Sequence, residues 1–127
     1  MVSSSDDMPL AGRRILVVED DGLLAYALVN LLESVGALCV GPFATMIEAL
    51  EGMTRFDAVD AAILDVGLGE QTSYPLAEAL QTTGIPFLFL TGTDRFSLPP
   101  QFERTGHLLK PHTDDQLVQE LMKLPRS

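Results

Sequence analysis

Three consecutive acids, Glu19, Asp20 and Asp21, end the apolar run of ILVVEDD (15–21). Neighbouring carboxylates repel one another and resist burial, so acids at the end of a core strand call for a counter-charge. Other apolar runs end on groups that answer this one: Asp65 closes AAILD (61–65), Thr91 closes FLFLT (87–91) and Lys110 closes HLLK (107–110). Oxygen donors of high charge density suit Mg²⁺, which keeps several waters and binds through one or two carboxylates. On this reading Glu19 and Asp20 form half of a magnesium cup and Asp65 completes it. A plainer reading has the first acids only favouring the N-terminus of the next helix. That accounts for Glu19 and Asp20 but not for Asp65, Thr91 and Lys110 at the ends of the other runs.

The elements that position these residues alternate between two periods. The strand-like runs are RILVVE (14–19), ALCVG (37–41), AAILD (61–65), FLFLT (87–91) and HLLK (107–110). They are short and apolar throughout, as strands of a parallel sheet covered on both faces read. Between them, Leu24, Leu28, Leu31 and Val35 recur at helical spacing over 22–35, with Gly36 as C-cap. Thr45 and Glu48 have capping-box form and open a helix through about Gly52. Pro75 suits a first helical position and starts a helix through about Thr82. Thr113 and Gln116 make a second capping box, with Leu117, Val118, Leu121 and Met122 as apolar face. The stretch GTDRFSLPPQFERTG between Thr91 and His107 is expected to hold an extended loop and then a short helix near 100–105, because Pro99 and Pro100 can begin a helix but not continue one. Five strands alternating with helices predict an α/β fold, a five-stranded parallel doubly wound sheet of (βα)5 flavodoxin-like type. In such sheets ligands bind beyond the carboxyl ends of the strands, which is where the acids, the hydroxyl and the ammonium group gather.

With 127 residues, 46% hydrophobic and 20% charged, the chain suits one compact domain. Residues 1–12 (beginning MVSSSDD) read as a disordered N-terminal tail, and 13–127 as the domain. No apolar run approaches the roughly 20 residues needed to span a bilayer, and the N-terminus lacks a signal-peptide layout. A cytoplasmic protein is therefore expected. The formal charge of −10 argues against nucleic acid, whose phosphates call for clustered Lys and Arg. Cys39, the single cysteine, excludes an internal disulfide and reads as a small buried residue.

Together VVEDD after the first strand, AAILDV at the third, FLTG at the fourth and LLKP at the fifth resemble the receiver domain of two-component response regulators, of the stand-alone single-domain type. The resemblance runs from about Arg13 to Leu124. It implies that Asp65 is the phosphoacceptor, attacking a phosphohistidine on a partner to form an aspartyl phosphate. It implies Mg²⁺ held by Glu19, Asp20, Asp65 and the backbone carbonyl of Gly67, with Asp20 binding directly and Glu19 through water. Thr91 would hydrogen-bond a phosphoryl oxygen. Lys110 would pair first with Asp65 and then with the phosphate, from a cis Lys110–Pro111 peptide. Asp21 falls outside the acidic pair and is expected to cap the first helix. The implied partners are a sensor histidine kinase or a histidine phosphotransfer protein and a downstream protein target, with no nucleic acid and no membrane, and the chain a monomer or weak dimer. Its output would be switched protein binding or onward transfer in a phosphorelay. Such a protein is a switch that assists its own phosphorylation and dephosphorylation, not a turnover enzyme.

The sequence departs from that pattern in three places. After Asp65 the stretch DVGLGEQTSYP lacks the usual Met-Pro or Leu-Pro, so the loop over 68–75 is altered or longer. His107 stands where an aromatic residue is usual, either as a partly buried histidine with a backbone partner or as the rotating switch residue itself. Thr91-Gly92 fits in part a minority group of stand-alone receivers with a Phe-x-Thr-Gly pattern, and Thr93 stands where an aromatic would complete it. The competing class is a receiver-like interaction module that needs no phosphate. A hydrolase of the haloacid-dehalogenase type would need a second acid where Gly67 stands. A flavodoxin-like cofactor binder would need a phosphate cradle where the first acids stand.

Overall fold

A strand that is apolar at every position must be covered on both faces, and the three central runs are. β1 (Arg14–Val18) is buried from Ile15 on, and β3 (Ala61–Asp65) and β6 (Phe87–Thr91) are buried throughout. The computed structural model describes residues 8–55, 59–92 and 98–125. β1, β3 and β6 join β2 (Leu38–Phe43) and β7 (Gly106–Leu109) in one parallel sheet of order β2-β1-β3-β6-β7. The chain leaves β1 toward β2 on one side and returns to β3 on the other, so the strand order reverses between β1 and β3. This is the expected doubly wound, flavodoxin-like fold. Among the described residues it has four α-helices: α1 (Gly22–Ser34), α2 (Met46–Arg55), α3 (Tyr74–Thr83) and α4 (Asp114–Met122).

Each face of the sheet has its own core. Leu28 and Leu32 of α1 and Leu117 and Leu121 of α4 pack with Ile15, Val17, Ile63, Leu88 and Leu90. Ala49 of α2 and Leu76, Ala77 and Leu80 of α3 belong with Leu16, Val18, Leu64, Phe87 and Phe89 on the other face. Of the expected Leu24-Leu28-Leu31-Val35 face of α1, Leu28 is buried and Leu31 and Val35 pack partly buried against the core that α1 and α4 share, while Leu24 is 43% exposed; Ala25 and Leu32 complete the buried stripe. Cys39, expected to be buried, is half-buried on the edge strand β2. Its thiol is pushed up to about 11 by burial and by the Glu33 carboxylate.

Helix ends follow local chemistry. Asp21 caps α1, its carboxylate accepting from the amides of Leu23 (3.0 Å) and Leu24 (3.1 Å). α1 stops because Gly36 takes φ +96, and a Cβ there would lie 2.9 Å from the Ala11 Cα. That contact brings in the residues before the domain. The Leu10 amide donates to the Val35 carbonyl (3.0 Å) and the Leu10 side chain is fully buried. Within the expected tail over 1–12, Leu10 thus packs into the core, while Met8, Ala11 and Gly12 are exposed; residues 1–7 lie outside the described residues. α2 runs past its expected end at Gly52. That glycine is there for packing, since a side chain would meet the Phe43 ring. Thr113 and Gln116 form the expected capping box, with bonds of 2.8 and 3.1 Å.

Where a short helix was expected near 100–105, the fourth of five in chain order, there is one 3-10 turn, Pro100–Phe102. Phe102 is fully buried and takes over the missing helix's covering role. Its ring centroid lies 5.3 Å from Phe89 and 5.5 Å from Tyr74. The expected extended loop, with Thr93, falls largely outside the described residues. No described helix is long and apolar enough to cross a membrane.

Candidate functional site

Strand register brings the predicted residues to one rim. Val18 pairs with Leu64, so Glu19 emerges beside Asp65; Asp65 itself pairs with Leu90, one residue before Thr91. Thr91 pairs with Leu109, and its carbonyl accepts from the Lys110 amide (2.7 Å), fixing where the Lys110 side chain starts. From the edge of the sheet the Lys110 ammonium reaches Glu19 Oε2 at 2.9 Å and Asp65 Oδ2 at 3.2 Å. Glu19 Oε1 accepts from the Asp21 amide (3.1 Å). Glu19, Asp65 and Thr91 are buried, and Asp20 is exposed. The Lys110–Pro111 peptide is cis.

The electrostatics of the site are those of too few cations. Burial comes first in pushing the Asp65 carboxyl up from 3.8 to about 7; the hydrogen bond to Glu19 and its charge add to this, and Lys110 opposes it. Burial alone would lower Lys110, but its bonds and charges with Glu19 and Asp65 outweigh that, and its pKa rises. One ammonium group therefore serves two buried carboxylates. Glu19, Asp20 and Asp65 each offer a carboxylate oxygen within 4.8 Å of the others. Three hard oxygen donors, one facing solvent where waters can complete the shell, fit Mg²⁺.

No family model matches the sequence, and no curated protein matches it either. Solved structures do. SdrG from Sphingomonas melonis Fr1 is 37% identical, covering 94% of this chain and 96% of its own, with a TM-score of 0.75. The BeF3-activated conformation of SdrG from Pseudomonas melonis Fr1 is 39% identical, covering 88% of this chain and 98% of its own, with a TM-score of 0.73. The chain belongs to the response-regulator receiver family. The chemotaxis protein CheY4 of Vibrio cholerae, 22% identical over 91% of this chain and 100% of its own, has the same fold at a TM-score of 0.75. Receivers are signalling switches that accept a phosphoryl group.

This receiver differs after its candidate acceptor. Gly67–Leu68 (β4) and Gln71–Thr72 (β5) form a small antiparallel hairpin. Sequence reasoning expected only an altered loop there. The signal was present in Gly69-Glu70, a Gly-X pair of the kind that makes two-residue hairpin turns. Gly69 takes φ +63, and its amide donates to Asp20 Oδ2 at 2.8 Å. Gly67 is exposed at the start of the hairpin.

His107 is exposed, which corrects the expectation of a partly buried histidine. It pairs with Phe89 in register and so shares that residue's face of the sheet. The 3-10 turn covers Phe89 with Phe102 and leaves His107 at the rim of an open hollow of about 210 Å³, lined also by Thr91, Leu98 and Glu103. His112, expected as a solvated loop residue, is half-buried with Nδ1 3.3 Å from the Thr113 carbonyl.

Proposed function

We propose that this receiver accepts a phosphoryl group on Asp65 from the phosphohistidine of a sensor kinase or phosphotransfer protein, and that the product switches binding to a protein target or is relayed onward. The observation that carries the reading is the Lys110 ammonium, which bridges Asp65 and Glu19 (3.2 and 2.9 Å) beside the exposed carboxylate of Asp20. An Asp65 oxygen attacks phosphorus, the phosphorus–nitrogen bond of the donor breaks, and the imidazole leaves with its electron pair. Phosphoryl transfer passes through a loose transition state with charge spread over three oxygens, so positioning and electrostatics do most of the catalysis. Lys110 would pass from the Asp65 carboxylate to a phosphoryl oxygen, and Thr91, on the next strand end, would donate its hydroxyl. Mg²⁺ held by Glu19, Asp20, Asp65 and the Gly67 carbonyl would keep Asp65 ionised and offset charge on the transferring group. The same groups would serve hydrolysis of the phosphate. The solved BeF3-activated conformation of SdrG supports this chemistry for a relative. The charge of −10 favours protein partners over nucleic acid, and the setting we propose is cytoplasmic.

The test is incubation with Mg²⁺ and acetyl phosphate, read by intact mass, with beryllofluoride-induced NMR shifts at Thr91 and His107 as a second readout. The expected result is one phosphoryl adduct in the wild type and none in Asp65→Asn. A wild type with no adduct from acetyl phosphate or from histidine-kinase phosphodonors, and no beryllofluoride shift, refutes the proposal and leaves a phosphate-independent interaction module.

A further inference from the structure

We infer that the β4–β5 hairpin is a latch that positions Asp20 for the cation, with the Gly69 amide as the positioning group; this rests on the magnesium reading of the site. Glu19 and Asp65 are buried and share Lys110. Asp20 has neither support. It is exposed, and among the described residues the hydrogen bond its carboxylate makes is the one from the Gly69 amide, 2.8 Å long across 49 residues of sequence. A free aspartate samples several rotamers. A charge-assisted bond to one oxygen restricts that choice and leaves the other oxygen for a metal.

A latch must itself be anchored, and this one is at both ends. At its base the Ser73 amide donates to the Val66 carbonyl and the Val66 amide to the Leu90 carbonyl, each 2.9 Å, tying the hairpin to β6. Along its length Gly67 pairs with Thr72 and Leu68 with Gln71, and the Leu68 side chain is buried. At its tip the φ of +63 at Gly69 begins the two-residue turn. The segment that follows Asp65 therefore reaches back over the site to hold an acid from the turn after β1, and the order of the hairpin and the readiness of Asp20 are one property.

Amide hydrogen exchange at Gly69, followed by NMR in EDTA, tests the latch without metal or phosphoryl donor. Exchange is expected to speed up about threefold to tenfold in Asp20→Ala, the loss of one ordinary hydrogen bond, while the Ser73 amide is unchanged. Mg²⁺ titration is the second arm. An ester in place of the Gly69 amide, which removes the donor and leaves the glycine free to keep its φ of +63, is expected to weaken binding by about threefold to tenfold. Gly69→Ala keeps the donor while straining the same turn, and is expected to weaken it less. Unchanged Gly69 exchange in Asp20→Ala, or Mg²⁺ binding unchanged by the ester, overturns the latch while the wild type still binds Mg²⁺. A wild type with a protected Gly69 amide and no Mg²⁺ binding overturns the metal reading, and this inference with it.

Discussion

Replacing Asp65 with Asn is expected to stabilise the metal-free protein while abolishing phosphorylation. The magnitude follows from the site. In the unfolded chain the carboxyl ionises near 3.8, and in the fold near 7. The folded state therefore binds a proton more tightly, so this group's contribution to stability is fully present below about pH 4 and is lost as pH rises through about 7. At about 1.4 kcal/mol per tenfold difference, the loss by pH 8 is at most about 4 kcal/mol. Asn keeps the shape and removes the charge, but weakens the pairing with Lys110, so a net gain of about 1–3 kcal/mol is expected. For a chain of this size that is a rise in Tm of about 4–10 °C.

The assay is thermal unfolding by circular dichroism in EDTA at pH 4.5, 7 and 8.5, wild type beside Asp65→Asn. The difference should be small at the lowest pH, where Asp65 is already protonated, and largest at the highest. Titrating groups that do not touch Asp65 cancel between the two proteins. Mg²⁺ should then reduce the gap at pH 8.5, because a ligand that binds the folded wild type stabilises it by mass action. A difference independent of pH, or a wild type more stable than Asp65→Asn in EDTA at pH 8.5, would refute the account of a carboxylate strained by burial and by Glu19.

Lys110→Met leaves Glu19 and Asp65 buried without their shared cation. It should cost about 2–4 kcal/mol in urea unfolding at pH 8 without metal, and slow labelling by acetyl phosphate. Phe102→Ala empties the place of the missing helix and should cost about 3–5 kcal/mol, measured by chemical denaturation. Ser73 is buried, and among the described residues its hydroxyl has no hydrogen-bond partner. Ser73→Ala should therefore leave stability within about 1 kcal/mol of the wild type or raise it, although the residue stands at the N-terminus of α3. Gly36→Ala combines positive φ with a 2.9 Å approach to the Ala11 Cα, and should lower Tm by several degrees, about 1–2 kcal/mol or more.

The residues at the rim were legible because their positions depend on little besides strand ends. In an all-parallel sheet the strands run one way, so the residue after each strand emerges at the same edge. β3 and β6 end where their apolar runs end, at Asp65 and Thr91. Finding the runs therefore found the cluster, and register did the rest. The helix caps were legible for a similar reason, since Asp21 and Thr113 act on amides two or three residues away. The hairpin was partly legible through Gly69-Glu70, but its bond to Asp20 links segments 49 residues apart, and no local pattern encodes that.

The fate of His107 shows where local reading stops. Its place on β7 was clear, and alternation along an edge strand gives it one of two faces. Which face is covered depends on the segment before it. That segment, carrying Pro99 and Pro100, makes one 3-10 turn and sends Phe102 inward onto Phe89 and Tyr74. An aromatic from the loop thus fills space on the face that Phe89 and His107 share, and the histidine stays out. Burial of a side chain at an edge is decided by its neighbour's volume, not by its own type. In this receiver the aromatic bulk beside β6 comes from Phe102 and Tyr74, and Tyr74 directly follows the hairpin and Ser73. The candidate acceptor loop and the 3-10 turn after β6 therefore meet through aromatic packing beneath the rim, on the face where His107 leaves an open hollow beside Thr91.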